Sequence, residues 1–183
     1  MTVSLTQVTD LHLSAPPRVI EHRQCTTHET LDKVLSALKE ETFDAILCTG
    51  DITDTPSAQA YHDAYQRLAS LQRPVYCLAG NHDDPDLAVR IAEDYGIHWC
   101  RSVELSDWQL IFLDTSQPDR VDGYLSGHEL QQLDAQLDTS QKPHVLIALH
   151  HHPVPMQSQW MDQLMLQNPE ELFKVIARHR QVK

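Results

Sequence analysis

Five short apolar runs alternate along this chain with segments of helical periodicity. This order favours a layered α/β domain, because each apolar run can form a buried strand and the helix that follows can cover the sheet. We expect one domain over residues 1–183, the simplest organisation for this length. We predict strands at Val3–Thr9, Ala45–Thr49, Val75–Ala79, Leu110–Leu113 and Val145–Leu149.

Residues with known capping preferences indicate where the helices begin. A Thr or Ser followed three residues later by Glu can form a capping box, and Pro favours the first helical turn. Apolar residues recur at helical spacing after these signals. We predict five helices. The first begins at Thr26/Glu29, the second covers Ser57–Leu71, and the third begins at Asp84–Pro85 and ends at Gly96. The fourth begins at Ser126/Glu129, and the fifth begins at Asn168–Pro169.

The charge balance of the chain restricts its partners. Fourteen Lys and Arg residues against twenty-six Asp and Glu residues give a formal net charge of -12, which repels nucleic acid. No apolar run approaches the roughly 20 residues that cross a bilayer, and the four cysteines lack a zinc-ribbon or redox spacing. We therefore expect a cytoplasmic protein with no nucleic-acid or membrane partner, and the sequence leaves its oligomeric state open.

Four of the five predicted strands end in groups of side chains that can bind metals. The carboxyl ends of strands in an open α/β sheet gather at one crevice, so these groups can converge. Each group alone could be a turn, but their joint occurrence favours a metal centre. Carboxylate, imidazole and amide ligands without thiolate suit manganese, iron or zinc. The groups are Asp10-Leu11-His12, Gly50-Asp51-Ile52-Thr53-Asp54, Gly80-Asn81-His82-Asp83 and His150-His151-His152-Pro153.

In this order, the four groups resemble the motifs of the calcineurin-like metallophosphoesterase superfamily. The likeness runs from about Val3 to the end of the chain, and the fold that it implies is a layered β-sandwich flanked by helices, of the αββα type. Other stretches resemble one subgroup, the bacterial class III cyclic nucleotide phosphodiesterases. These stretches are Ser57–Tyr61, Leu113–Gln117, Gly123–Ser126 and Trp160–Gln163.

The resemblance implies that the site holds two divalent cations, which would be iron, manganese or zinc. Asp10 and His12 would bind the first cation, and Asp51 would bridge it to the second. Asn81 and His150 would complete the second site. Within the histidine run, the register of the ligand could differ by one residue.

The resemblance also implies catalytic and substrate-binding residues. His82 would be catalytic by donating a proton or a hydrogen bond to the phosphoryl or leaving oxygen. Asp83 would be catalytic by orienting the ring of His82, although it could instead cap the helix that follows. The predicted substrate-binding residues are His12, Asp51, Asn81 and His82.

The implied reaction is the hydrolysis of 3',5'-cyclic nucleotides, cAMP to AMP, by hydroxide that two metal ions activate. One alternative is a phosphoesterase for another small diester, and the other is a catalytically silent binding module. The silent module follows from a departure from the family pattern, which continues with a strand and a Gly-His-x-His motif that supplies one histidine to each metal. This sequence ends at Lys183 without that motif. We therefore expect a C-terminally incomplete domain with reduced metal affinity.

Overall fold

The computed structural model describes residues 2–20 and 24–183, which separate into two compact units. The N-terminal unit spans Val3–Trp99, and the C-terminal unit contains Thr2 and Cys100–Lys183. Each unit combines strands with helices. The predicted α/β class is therefore confirmed.

A parallel sheet lies at the centre of the N-terminal unit. The described strands of this unit are β1 (Leu5–Val8), β2 (Val19–Ile20), β3 (Cys25–Thr26), β4 (Ala45–Thr49), β5 (Val75–Leu78) and β6 (His98–Trp99). Its helices are α1 (Thr27–Leu38), α2 (Ala58–Ala69) and α3 (Pro85–Ala92), and a 3₁₀ turn follows at Glu93–Tyr95. The sheet has the order β1-β4-β5-β6 with all pairs parallel, while β2 and β3 form a short antiparallel pair.

The core of the N-terminal unit lies between this sheet and its helices. Alternate residues of a strand point to the same face, and Ile46 and Cys48 of β4 pack in one cluster with Leu31 of α1 and with Tyr65 and Leu68 of α2. Leu68 is fully buried, and burial of a leucine side chain stabilises a protein by about 1.5–3 kcal/mol. The helices therefore hold one face of the sheet in place.

The predicted helix starts of the N-terminal unit are confirmed by their caps. Thr26 accepts the backbone N–H of Glu29 at 3.1 Å, and the Glu29 carboxylate accepts the backbone N–H of Thr26 at 2.7 Å, which completes a capping box. Ser57 caps α2, and Asp84 caps α3 directly before Pro85. Side-chain oxygens at these positions satisfy N–H groups that have no partner inside the helix.

The C-terminal unit contains a three-stranded mixed sheet. Its described strands are β7 (Ser102–Leu105), β8 (Trp108–Phe112) and β9 (His144–Ala148), its helices are α4 (Gly127–Thr139) and α5 (Pro169–Ile176), and a 3₁₀ turn lies at Met161–Gln163. Strands β7 and β8 are antiparallel, and β8 and β9 are parallel. The parallel pair is connected through α4, whose Leu133 and Leu137 pack with Ile111 and Val145 of the sheet.

One predicted capping box in this unit is only half formed. Ser126 accepts the backbone N–H of Glu129 at 3.1 Å. The Glu129 carboxylate instead accepts two hydrogen bonds from Nη1 of Arg101, at 2.9 and 2.8 Å. A charge-assisted bond to a guanidinium is stronger than one to a neutral backbone amide, so the arginine takes the place of the cap.

All five predicted strands are present, within a few residues at their ends. The sequence did not predict β2, β3, β6 or β7. Three of these contain only two residues, which is too short for hydrophobic periodicity to show. None of the helices found in residues 2–20 and 24–183 has the length and apolar character needed to pass through a bilayer.

Gly96 ends the third helical segment as predicted, and its backbone explains why a glycine is used. Its φ is 63°, and a Cβ added there would meet no atom within 4 Å. A larger residue at position 96 would therefore have no steric clash with other residues, and its cost would come from the left-handed backbone alone. We predict that Gly96→Ala lowers the free energy of unfolding by about 1 kcal/mol, measured by urea denaturation followed by circular dichroism.

Gly127→Ala is the matched control for this substitution. Gly127 also lies in open space, but its φ is outside the left-handed range, and it is the first residue of α4. Alanine there should leave stability unchanged or raise it by about 0.5 kcal/mol. Equal effects of the two substitutions would contradict the backbone explanation.

Candidate metal centre

Three neighbouring strands of the N-terminal unit end at the same edge of the sheet. The parallel register pairs Val8 of β1 with Cys48 of β4, and Cys48 with Cys77 of β5. One of the polar groups found in the sequence begins within two residues of the end of each strand. We call these segments loop 1 (residues 9–12), loop 2 (residues 50–54) and loop 3 (residues 80–84).

Backbone hydrogen bonds join loop 1 to loop 2. The N–H of Asp10 donates to the carbonyl of Gly50, and the N–H of His12 donates to the carbonyl of Asp51, both at 3.0 Å. These bonds continue the strand pairing into the two loops. They therefore fix the backbones that carry the side chains of Asp10, His12 and Asp51 relative to one another.

Three candidate ligands have left-handed backbone conformations. The φ angles are 54° at Asp10, 44° at His12 and 52° at Asp51. Residues other than glycine rarely adopt this region, which costs roughly 1–2 kcal/mol at each position. Three such residues in adjoining loops indicate that the surrounding fold enforces the arrangement, and strained backbone of this kind clusters at functional sites.

The donor atoms of these side chains lie close together. Nε2 of His12 is 3.5 Å from Oδ2 of Asp51 and 3.7 Å from Oδ1 of Asp10. Donor atoms of His12, Asp51 and His82 all lie within 4.8 Å of one another, and the two imidazole rings meet edge-on at 4.9 Å. Imidazole and carboxylate donors in this cluster fit a divalent transition metal ion.

Electrostatics also favour a cation at this position. The carboxylate of Asp10 beside the ring raises the pKa of His12 above its ordinary value, and the charges of Asp51 and Asp54 act in the same direction while burial opposes them. The same negative potential that favours a proton on His12 would favour a metal ion in its place. The residues present therefore fit the cofactor that the sequence predicts.

Gly80 allows loop 3 to approach loop 2 closely. A Cβ at position 80 would overlap Oδ1 of Asp51 and lie 2.5 Å from its backbone nitrogen. The backbone N–H of His82 donates to the same Oδ1 at 3.0 Å. Asp51 is buried, with 4% of its surface exposed, so its orientation depends on this contact with loop 3.

The ring of His82 is anchored by loop 2. Its Nδ1 lies 2.8 Å from the backbone carbonyl of Asp54. A carbonyl can only accept, so Nδ1 carries the proton in this hydrogen bond. Nε2 is then the atom of His82 that can act on a substrate or a metal ion.

The carboxylate of Asp83 accepts hydrogen bonds from both loop 2 and loop 3. In the part of the chain that the structure describes, the hydrogen bond of the His82 ring goes to Asp54 rather than to Asp83. The Asp83 carboxylate accepts backbone N–H groups of Ile52, Thr53 and Gly80 and the hydroxyl of Tyr61. Burial raises the pKa of Asp83, and these backbone hydrogen bonds oppose that rise. The hydrogen bonds of Asp83 thus go to loops 2 and 3 and to Tyr61, and its catalytic role stays a prediction.

Tyr61 is the residue of this site that the sequence reasoning missed. It lies on the buried face of α2 and is fully buried. Its position on an apolar helical stripe is typical of a core residue. The available signal was chemical, since a buried tyrosine hydroxyl needs a hydrogen-bond partner.

Asn81 and His150 are the two remaining predicted metal ligands. Asn81 is half-buried in the turn of loop 3, between Gly80 and His82. His150 belongs to the C-terminal unit, where it is half-buried two residues after the end of β9 and packs edge-on against the ring of His151 at 4.8 Å. The metal-binding roles of Asn81 and His150 stay predictions.

The other histidines of the run have separate surroundings in the C-terminal unit. His151 is buried, and its Nδ1 lies 2.7 Å from Oγ1 of Thr115. Gly123 packs so closely that an added Cβ would lie 2.5 Å from Cβ of His151. Nε2 of His152 lies 3.8 Å from a carboxylate oxygen of Asp162. The polar contacts of His151 and His152 thus go to different residues, Thr115 and Asp162.

Comparison with known proteins decides the family. The family model described as calcineurin-like phosphoesterase matches residues 3–178. The chain belongs to the calcineurin-like phosphoesterase family. The resemblance stated from its motifs is therefore confirmed, and with it a divalent metal cofactor.

Two curated members of this family illustrate the similarity. The chain is 37% identical over 185 residues to a 3',5'-cyclic-nucleotide phosphodiesterase of Nostoc sp., with 100% of this chain and 69% of that protein covered. It is 34% identical over 184 residues to the 3',5'-cyclic adenosine monophosphate phosphodiesterase CpdA of Pseudomonas aeruginosa, with 100% and 67% covered.

Two solved structures show the same fold. The crystal structure of a dimetal phosphatase from Danio rerio matches with a TM-score of 0.69 at 16% sequence identity, and the match covers 98% of this chain and 79% of that chain. The protein TT1561 of Thermus thermophilus matches with a TM-score of 0.63 at 14% identity, covering 99% and 80%. The predicted metallophosphoesterase fold is confirmed by these likenesses.

We predict that Asp51→Asn weakens Mn²⁺ binding by more than about tenfold, since changes that touch the ligands of a metal typically cost 10–100-fold in affinity. The amide can still accept the N–H of His82 but has lost the negative charge that faces His12. Isothermal titration calorimetry with the purified chain gives the dissociation constants.

Asp86→Asn is the control, because it makes the same change of charge at an exposed position on α3. Its Mn²⁺ affinity should equal that of the wild-type chain. Asp51→Asn binding Mn²⁺ as tightly as Asp86→Asn would show that Asp51 is not a ligand.

Proposed function

We propose that this protein is a metal-dependent phosphodiesterase that hydrolyses 3',5'-cyclic nucleotides, with cAMP converted to AMP. The cluster of His12, Asp51 and His82 at one edge of the parallel sheet carries this proposal. The names of relatives that align with the whole of this chain support the substrate class. Because one family model spans residues 3–178, we also propose that both compact units belong to one metallophosphoesterase domain.

We propose two divalent cations as cofactors, with manganese, iron or zinc as candidates. Asp10, His12 and Asp51 would hold the first, and Asp51, Asn81 and His150 the second. Bound divalent cations offset the negative charge of a phosphodiester and make water a stronger acid. The left-handed backbones at Asp10, His12 and Asp51 present these ligands in a fixed geometry before a cation arrives, which reduces the cost of ordering them on binding.

His82 is the candidate general acid in this mechanism. Its Nδ1–H is held by the carbonyl of Asp54, which fixes the direction of Nε2. In the protonated ring, Nε2–H can donate to the ribose oxygen that leaves when the P–O bond breaks. The neighbouring carboxylate of Asp51, whose Oδ1 accepts the N–H of His82, keeps the ring of His82 beside the proposed cation site.

We also propose a cytoplasmic location. Cys25 and Cys48 are thiols, and thiols persist in a reducing compartment. The proposed substrates are small molecules, and the net charge of -12 argues against polyanionic nucleic acids as substrates.

We predict that the chain supplied with Mn²⁺ converts 3',5'-cAMP to 5'-AMP and that His82→Ala lowers the turnover number by about 10²–10⁴-fold, the usual contribution of a general acid or base. Chromatographic separation of nucleotide product from substrate measures both rates. Removal of metal by a chelator should abolish turnover, and added Mn²⁺ should restore it.

His98→Ala serves as the control histidine, since His98 is exposed on β6 and stacks on Tyr76. It should retain wild-type turnover. Hydrolysis of bis(p-nitrophenyl) phosphate without hydrolysis of cAMP would refute the proposed substrate class. A metal-loaded chain that hydrolyses neither compound would instead support the silent binding module.

A further inference from the structure

The hydroxyl of Tyr61 joins helix α2 to loop 3. The tyrosine is fully buried. Its hydroxyl donates to Oδ1 of Asp83 at 3.1 Å and accepts the backbone N–H of Asp84 at 2.8 Å. A buried hydroxyl that makes these two hydrogen bonds to loop 3 fixes the position of that loop against the helix.

Asp83 extends this connection to loop 2. Its carboxylate accepts the backbone N–H of Ile52 at 3.1 Å and that of Thr53 at 3.3 Å, and within its own loop it accepts the N–H of Gly80 at 3.0 Å. With Tyr61, all of these partners are donors. The two carboxylate oxygens of Asp83 therefore serve as the common acceptor for donors from loop 2, loop 3 and α2.

The two loops are joined reciprocally. The carboxylate of Asp83 in loop 3 accepts N–H groups of loop 2, while the carboxylate of Asp51 in loop 2 accepts the N–H of His82 in loop 3. Any displacement of Asp83 therefore changes the environment of Asp51. Asp51 is the buried candidate ligand, so a small displacement would alter the position of its oxygens.

We propose that Tyr61 and Asp83 form a positioning pair that controls the affinity of the Asp51 site for divalent cations. This inference rests on the proposed metal centre and is independent of the proposed substrate. Neither side chain needs to touch the cation. Loss of the Tyr61 hydroxyl removes one donor from Asp83 and the side-chain acceptor from the N–H of Asp84, which weakens the connection between loop 3 and the helix.

Tyr61→Phe tests this proposal, with Tyr65→Phe as a matched control. Tyr65 lies one turn further along α2, is also fully buried, and stacks on Tyr61 at 5.7 Å between ring centroids. Its hydroxyl accepts from Nε1 of Trp99 at 3.1 Å rather than from the metal-site loops. Both substitutions remove one buried hydroxyl and its hydrogen bonds, but only Tyr61→Phe affects loop 3.

Calorimetric titration with Mn²⁺ alone should give about a tenfold higher dissociation constant for Tyr61→Phe, in the range known for residues that orient metal ligands. Tyr65→Phe should bind Mn²⁺ within twofold of the wild-type chain. Thermal unfolding of the metal-free variants records the loss of stability, which we expect to be similar for the two. A purely structural role of the hydroxyl would affect metal binding equally in both variants.

Asp83→Asn and the double variant provide a second measurement. If Tyr61 and Asp83 act as one unit, the variant that carries both substitutions should bind Mn²⁺ with the same affinity as whichever single variant binds Mn²⁺ more weakly. Additive losses, or wild-type affinity in Tyr61→Phe, would overturn the proposal while leaving the metal centre intact. A wild-type chain that binds no Mn²⁺ would overturn the metal centre and this inference together.

Discussion

The parallel pairing of β1, β4 and β5 is the constraint on which the candidate metal centre depends. Because the strands run in the same direction and in close register, their carboxyl ends meet at one edge of the sheet. Loops 1, 2 and 3 begin there, and each needs only a few residues to reach the others. The core beneath, where Cys48 of β4 packs in one cluster with Leu31 of α1, therefore supports the site as well as the fold.

Beyond the strand ends, hydrogen bonds to carboxylates replace the sheet pairing. A backbone N–H of loop 2 donates to the carboxylate of Asp83 in loop 3, and a backbone N–H of loop 3 donates to the carboxylate of Asp51 in loop 2. A carboxylate that accepts several backbone N–H groups orders a loop more strongly than a neutral side chain could, because each bond is assisted by charge. The site thus uses the buried Asp51 as a candidate ligand and the half-buried Asp83 to hold the loops together.

The sequence was informative where the signal was a local cap or a regular order of strands and polar groups. Thr26 with Glu29, Ser57, and Asp84 with Pro85 each predicted the start of a helix, because a cap involves only neighbouring residues. The grouping of Asp10, His12, Asp51 and His82 was also expected from the sequence, because polar groups that follow the strands of an α/β sheet gather at one crevice. These side chains needed no detailed structure to be recognised.

The sequence was less informative where partners lie far apart along the chain. Glu129 had the spacing of a capping box, but its carboxylate binds Arg101, 28 residues away. Asp83 follows His82 directly, yet its partners are Tyr61 and the backbone of loop 2. Competition between a local and a distant partner is decided by charge, burial and geometry, which a single sequence does not display.

The left-handed conformation of Asp10, His12 and Asp51 limits how such a centre can be re-engineered. Asparagine, aspartate and histidine tolerate this conformation better than other residues, while β-branched side chains are strongly disfavoured in it. Exchange for glutamate, the usual way to keep a carboxylate while changing its reach, would therefore carry a backbone cost in addition to the longer side chain. Libraries intended to change metal preference at these positions should therefore exchange asparagine, aspartate and histidine for one another, which changes the donor atom, rather than introduce longer side chains.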